Sequence, residues 1–178
     1  IVTSVRSYAK EQKLKKSPLS VNEVVTEAVK DFTSTLQDYP LQIEFEEDPR
    51  SPICSLAPLE FELAVFNLLK NAKEALKAQK ADEPKVFIKI SSGETHCFVD
   101  ISDNGAVISD SDFERMGSVF KSGKASGLGI GLSIVRSIVQ NHNGSLVLER
   151  GKNGGLVCRI RLPIFNACLL YTSDASDD

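Results

Sequence analysis

Two asparagines four residues apart, an Asp-Asn-Gly tripeptide and three alternating glycines are the groups in this chain whose types and spacing could do chemistry. Asn67 and Asn71 share a helix face at i and i+4. A neutral amide oxygen there is a hard ligand, suited to magnesium already neutralised by phosphates. The same pair also suits a structural tie to a neighbouring backbone. Gly127, Gly129 and Gly131 directly precede Leu132-Ser-Ile-Val-Arg-Ser-Ile-Val139. Backbone N–H groups free of a neighbouring Cβ, at a helix start with unpaired donors, form an anion site. A loop that merely packs closely would carry the same glycines. Asp103-Asn104-Gly105 is an ordinary turn in most settings. In a pocket, its carboxylate can accept from an exocyclic amine while Gly105 lets the backbone pass close to a base. Together the three segments are the parts needed to hold magnesium, adenine and a triphosphate.

Better-known phosphate loops do not fit. A dinucleotide fingerprint needs G-x-G-x-x-G after a strand, and Gly127-x-Gly129-x-Gly131 has the wrong spacing. A P-loop needs four residues before Gly-Lys-Ser/Thr; Gly117 to Gly123-Lys124-Ala125 has five and lacks the hydroxyl for magnesium.

Regular elements must position these groups. Pro58 to Leu76 reads as a helix, with proline in its first turn and Phe61, Val65, Leu68, Leu69, Ala72, Ala75 and Leu76 on one stripe. Ser20-Val-Asn-Glu23 is a capping box that predicts a helix to about Leu36. Leu132, Ile134, Val135, Ile138 and Val139 repeat at helical spacing in the late helix. Strands are predicted at Leu41–Phe45 and Ile53–Ser55, and a hairpin over Lys85–Ser91 and His96–Ser102 with Gly93 in its turn. Ser145–Glu149 and Leu156–Leu162 follow, joined by the Gly151–Gly155 turn. This order predicts an α+β, two-layer α/β sandwich.

In order and spacing, Asn67-Leu-Leu-Lys-Asn71-Ala-Lys-Glu-Ala-Leu76, Asp103-Asn-Gly105, Phe120 with Lys124, and Gly127-Leu-Gly-Ile-Gly-Leu-Ser-Ile-Val135 resemble the N, G1, F and G2 boxes of sensor histidine kinases. Val139-Gln-Asn-His-Asn-Gly-Ser-Leu-Val147 is similar to that family's exit from helix to strand. The resemblance covers roughly residues 20 to 163. It implies the Bergerat ATP-binding fold: a mixed sheet with helices on one face and the nucleotide under a mobile lid. ATP and Mg2+ are the implied cofactors. Asn71 would ligate the metal, with Asn67 on the phosphate side or behind the metal, and Asp103 with Gly105 would read adenine. Gly127, Leu128, Gly129, Gly131 and Leu132 would form the phosphate-side loop. Lys121 and Lys124 suit the β- and γ-phosphates, and equally suit solvated lysines. No side chain is assigned acid–base work, since phosphoryl transfer asks chiefly for positioning and charge neutralisation.

In the gyrase, chaperone and serine-kinase branches of the superfamily, the residue four before the magnesium asparagine is a glutamate general base. Here it is Asn67, which takes no proton at neutral pH. The resemblance therefore implies transfer to a histidine rather than ATP hydrolysis, and as partners a histidine-bearing dimerisation domain and a response regulator receiver domain. Two features depart from the family pattern. Val107 stands where Asp-x-Gly-x-Gly ends, with Ala106-Val107 for Pro-Gly, and Glu74 stands where many members carry lysine. A β-branched residue resists positive φ, so an altered loop and weaker nucleotide binding are expected. A degenerate docking module and an ATP-hydrolysing relative are the alternative functions.

Residues 1–18 read as a helix end and linker, resembling the end of the second helix of the kinase dimerisation domain; 19–163 read as the catalytic domain and 164–178 as a foreign or disordered tail. The chain begins at Ile1 and is expected to be a fragment. His96, in a strand, and His142, at a helix end, read as structural, which leaves no phosphoacceptor. With 178 residues and 42% hydrophobic content, one core is expected. A net charge of -3 argues against a nucleic-acid surface. Cys54, Cys97, Cys158 and Cys168 lack paired zinc spacing and read as reduced thiols of a cytoplasmic protein. No apolar run is long enough to span a membrane, so no membrane contact is expected of this chain, whatever anchors a longer parent.

Overall fold

The computed structural model describes residues 15–122 and 129–166. The first strand, β1 (Ser17–Ser20), pairs antiparallel with β3 (Ile53–Leu56). Sequence patterning misses β1 because four residues containing a proline carry little strand signal. Ser20 then accepts from the Glu23 N–H at 3.4 Å and opens α1 (Val21–Ser34). Its buried Val21, Val24, Val25, Ala28 and Phe32 follow the helical repeat and face the core. Thr35 caps the helix one residue before the predicted end.

Helix α2 (Pro58–Ala78) buries Phe61, Ala64, Val65, Leu68, Leu69 and Leu76. Its N-cap, Ala57, has no side chain to offer, and a distant residue caps the helix instead. His142, 2% exposed, accepts the Ala57 N–H on Nε2 at 3.0 Å. Its Nδ1 lies 2.7 Å from the Ile138 carbonyl, which can only accept, so Nδ1 carries the proton. His142 is thus structural, as expected, and in a specific way, because it joins the end of α4 (Gly129–Asn141) to the start of α2. Helices α1 and α4 flank α2 and form one layer.

The second layer is a five-stranded sheet of order β2-β4-β5-β7-β6: β2 (Gln42–Glu46), β4 (Lys85–Ser92), β5 (His96–Asp103), β7 (Leu156–Pro163) and β6 (Ser145–Arg150). Only β2 and β4 run parallel, because the chain between them detours through β3 and α2; the β4–β5, β5–β7 and β6–β7 pairs are antiparallel. Alternation sets the faces. Val86, Ile88 and Ile90 on β4, Cys97, Val99 and Ile101 on β5, and Cys158, Ile160 and Leu162 on β7 are buried in one core with the helices. The opposite face carries Lys89, Asp100 and Arg159, and Arg159 grips Asp100 through two 2.8 Å bonds across the β5–β7 register. This is the mixed sheet with helices on one face that the resemblance implied. Helix α3 (Asp110–Ser122) lies beside α4. Past β7, the Ile164 N–H bonds the Thr95 carbonyl in the β4–β5 turn and the Phe165 N–H bonds the Ile53 carbonyl of β3. Among the described residues, no helix is long and apolar enough to cross a membrane. Cys54, Cys97 and Cys158 are free and buried; Cys168 lies outside the described residues.

One buried carboxylate locks the corner where α1, β4 and the β2–β3 connection meet. Asp48, 3% exposed, accepts from Ser92 Oγ at 2.5 Å and from the Arg50 N–H at 2.9 Å, and its backbone is bracketed by the Asn22 amide. The Ser92 hydroxyl, aided by the Arg50 N–H and guanidinium, holds the Asp48 carboxyl below its usual value against the opposing effect of burial. A depressed folded pKa means this corner contributes stability that is present above the unfolded carboxyl value of about 3.9 and is lost as pH falls through the folded value. Urea titrations from about pH 2 to about pH 7 should show that loss on the acid side. Asp48→Asn should flatten it and cost about 1–3 kcal/mol at neutral pH by disrupting buried hydrogen bonds; a mutant with the wild-type profile would contradict this assignment.

Candidate functional site

A cavity of about 400 Å³ opens between α2, the segment after β5, α3 and the β6–β7 turn. Helix α2 contributes Leu68, Asn71, Ala72, Ala75 and Gln79; β5 and the segment after it contribute Ile101, Asp103, Ala106, Val107 and Ile108. Helix α3 adds Asp112, Arg115 and Met116, α4 adds Leu132, and the start of β7 adds Gly155, Leu156 and Cys158. The walls are mostly apolar with a few polar groups at fixed places, the usual build of a small-molecule site. Burial pushes the Cys158 thiol up to about 12, with the neighbouring Asp103 charge adding to it, so this wall is a neutral thiol.

Asp103 is held by backbone alone. Its Oδ1 accepts the Gly105 N–H at 2.8 Å and its Oδ2 accepts the Leu156 N–H at 3.1 Å. Each oxygen keeps a further lone pair, so the carboxylate can still accept from a bound group. Asn104 turns away from the cavity to the β4 edge, where its Oδ1 accepts the Lys85 N–H at 2.8 Å and its amide donates to Glu83. Gly155 is the counterpart of this turn. At φ +71, a Cβ there would sit 2.1 Å from the Asp103 carbonyl oxygen and 2.6 Å from its Oδ1. A Cβ on Gly154, at φ +115, would sit 2.4 Å from the Gly105 carbonyl oxygen.

Asn71 is half-buried, and its Nδ2 has no hydrogen-bond partner among the described residues although the atom itself is buried. A Cβ on Gly131 would lie 3.0 Å from Asn71 Oδ1 and 3.2 Å from Nδ2. Glycine at 131 thus keeps the side of the amide open. Asn67 behaves differently. Its amide donates to the Leu63 carbonyl at 2.8 Å, one turn back on the same helix, and it does not line the cavity. No group of three His, Cys, Asp or Glu side chains able to hold a metal occurs among the described residues. Any metal here would draw on the Asn71 amide and on oxygens brought by the ligand.

The structure thus brings Asn71, Asp103, Gly105, Gly131 and Leu132 together. Gly129 and Gly131 lie within the first turn of α4, so two of the three glycines open the helix rather than precede it. Lys124, Gly127 and Leu128 lie outside the described residues, as does the side chain of Lys121, whose backbone lies in the last turn of α3. Among the described non-glycine residues, positive φ occurs at Gln37, Ser51, Lys80 and Asn143, so the loop passes Val107 without the left-handed conformation that a glycine there would allow. Val107 is 82% exposed and edges the cavity.

Sequence patterning does not single out Gln79, Asp112, Arg115, Met116, Gly154 or Gly155 as site residues. The Gly154-Gly155 pair is visible as a turn signal, but what it packs against is not. Arg115 Nη2 lies 2.7 Å from Asp112 Oδ1 at the cavity edge, and α3 is tied to β6 by an Arg150–Asp110 ion pair and by the Arg150 guanidinium 5.3 Å above the Phe113 ring.

Residues 57–166 match the family described as histidine kinase-, DNA gyrase B-, and HSP90-like ATPases. Among curated proteins, the sensor protein FixL of Bradyrhizobium diazoefficiens is 26% identical over 92% of this chain and 32% of its own length. Sporulation kinase B of Bacillus subtilis is 26% identical over 92% of this chain and 37% of its own. The chain thus spans about a third of these relatives. Among solved structures, the catalytic domain of histidine kinase ThkA superposes with a TM-score of 0.71 at 24% identity, covering 85% of this chain and 97% of that one. The ATP binding domain of PrrB from Mycobacterium tuberculosis gives 0.67 at 25%, covering 85% and 99%. With the motif order, the two-layer fold and the cavity between Asn71 and Asp103 in agreement, this chain belongs to the histidine kinase-, DNA gyrase B-, and HSP90-like ATPases, as a catalytic ATP-binding domain of the sensor histidine kinase kind.

Proposed function

We propose that this domain binds Mg-ATP and delivers the γ-phosphate to a histidine on a dimerisation domain, in a cytoplasmic two-component pathway whose next partner is a response regulator receiver domain. The observation that carries this reading is the pairing, in one cavity, of a backbone-held carboxylate at Asp103 with the half-buried Asn71, whose Nδ2 has no partner among the described residues. Asp103 would take the adenine amine and Asn71 would face the phosphates, with the Gly129–Gly131 helix start supplying N–H donors. Magnesium, when bound, would supply charge neutralisation of the β- and γ-phosphates, with Asn71 as its protein ligand. Hydrolysis is disfavoured: four residues before Asn71 stands Asn67, whose amide is turned to Leu63 and which has no proton affinity.

Base selectivity tests the reading. Guanine presents a carbonyl where adenine presents its amine, setting acceptor against acceptor at Asp103. Leaving a charged acceptor unpaired costs about 1–3 kcal/mol or more, roughly tenfold to over a hundredfold in affinity. ATP should therefore outcompete GTP against a fluorescent adenine nucleotide. Asp103→Asn should narrow the gap chiefly by weakening ATP, since the new amide sets a donor against either the Gly105 or the Leu156 N–H. Equal competition by ATP and GTP in the unmutated protein would refute the adenine assignment.

A further inference from the structure

We propose that Gln79 is a positioning residue for base recognition, its side-chain oxygen holding the Asp103–Val107 turn in register with the cavity. The proposal rests on the nucleotide reading above. Asp103 alone leaves the turn half-secured, because its two oxygens take the Gly105 and Leu156 N–H groups and neither reaches Ala106. The Ala106 N–H donates instead to Gln79 Oε1 at 2.8 Å, while the Ala106 carbonyl accepts from the Gly155 N–H at 3.0 Å. One peptide segment is thus gripped from two layers of the fold, by the end of α2 and by the β6–β7 turn. The fit is close. A Cβ on Gly105 would lie 2.6 Å from Asp103 Oδ1 and 2.8 Å from Gln79 Oε1, so the chain threads between the two oxygens that hold it.

Gln79 occupies the C-cap position of α2, the helix that carries Asn71 about two turns earlier. Among the described residues, the Gln79–Ala106 bond is the hydrogen bond that ties this turn to the helical layer; Asn104 bonds to Lys85 and Glu83 at the sheet edge. One rigid helix therefore carries the phosphate-side amide and also fixes the base-side turn. The separation of the two ends of the ligand is set by α2 rather than by the loop.

Gln79→Met tests this, since it keeps the length of the side chain and removes the acceptor. In the nucleotide-free protein, amide exchange followed by NMR should show the Ala106 N–H exchanging faster in the mutant. ATP affinity should fall about three- to tenfold, because the released turn must be ordered again when the base binds, and GTP affinity should fall less, so the ATP-to-GTP ratio narrows. The ATP-to-ADP ratio should hold, while the melting temperature should fall slightly, because the bond is already made in the nucleotide-free protein. Equal weakening of ATP and GTP, leaving their ratio unchanged, would make Gln79 merely structural, and identical Ala106 exchange in both proteins would remove the grip; either overturns the proposal. If the unmutated protein binds neither nucleotide, the nucleotide reading and the role in base recognition fall together. Failure of Gln79 alone differs visibly, because wild-type binding then survives.

Discussion

Gly155→Ala is expected to abolish measurable Mg-ATP binding, although residue 155 bears no chemical group. The added methyl would lie 2.1 Å from the Asp103 carbonyl oxygen and 2.6 Å from Oδ1, distances no Cβ tolerates, against backbone and a doubly bonded carboxylate rather than a flexible side-chain end. The φ of +71 adds strain of about 1–2 kcal/mol for any L-residue. Relief requires β7 to back away, which breaks the Gly155–Ala106 and Leu156–Asp103 hydrogen bonds together. We expect a stability loss of about 2–4 kcal/mol and an affinity loss above about a hundredfold. Calorimetric titration and thermal melts would measure both. Gly117→Ala is the control: a Cβ there meets nothing within 4 Å and the site is helical, so alanine should be neutral or stabilising by up to about 1 kcal/mol. Unchanged affinity in Gly155→Ala would mean that Asp103 is not the group reading the base.

Asn71→Ala is expected to lose the magnesium-dependent part of ATP binding while the unliganded protein becomes no less stable. The two outcomes share one cause. Nδ2 is buried without a partner among the described residues, so the empty protein gains nothing from it and bears its desolvation. Alanine removes that burden and is the better helix former by about 0.5 kcal/mol or more. With nucleotide present, the same substitution deletes the one protein ligand assigned to the metal, and affinity should fall roughly 30- to 100-fold, toward the value measured with the metal chelated. Titrations with and without chelator, beside melting curves, decide it. A mutant that melts lower and still distinguishes Mg-ATP from free ATP would show Asn71 to be a structural tie, the alternative its helix position always allowed.

Local patterns in the chain determined a good deal. Helical spacing in Pro58–Leu76 put Asn67 and Asn71 on one face, alternation in Lys85–Ser91 and His96–Ser102 predicted a hairpin that runs into the Asp103 turn, and Ser20 with Glu23 marked a helix start; each is short-range physics that adjacent residues carry in full. Motif order then pointed to the fold. What only the tertiary structure decided depends on pairs far apart in the chain. Sharing a helix face did not give the two asparagines one role: packing left Asn71 open beside Gly131 and let Asn67 fold back on Leu63. The path of the chain past Val107 was likewise set by distant partners, since Gln79 and Gly155 both bond to the adjacent Ala106. Gly155 reads as one more turn glycine because its constraint comes from Asp103, fifty-two positions earlier. His142 likewise caps a helix that starts 84 residues before it. Propensity and periodicity act over a few residues, whereas the exclusion of a Cβ, the satisfaction of a buried N–H and the open side of an amide are properties of surfaces brought together only when the two layers close.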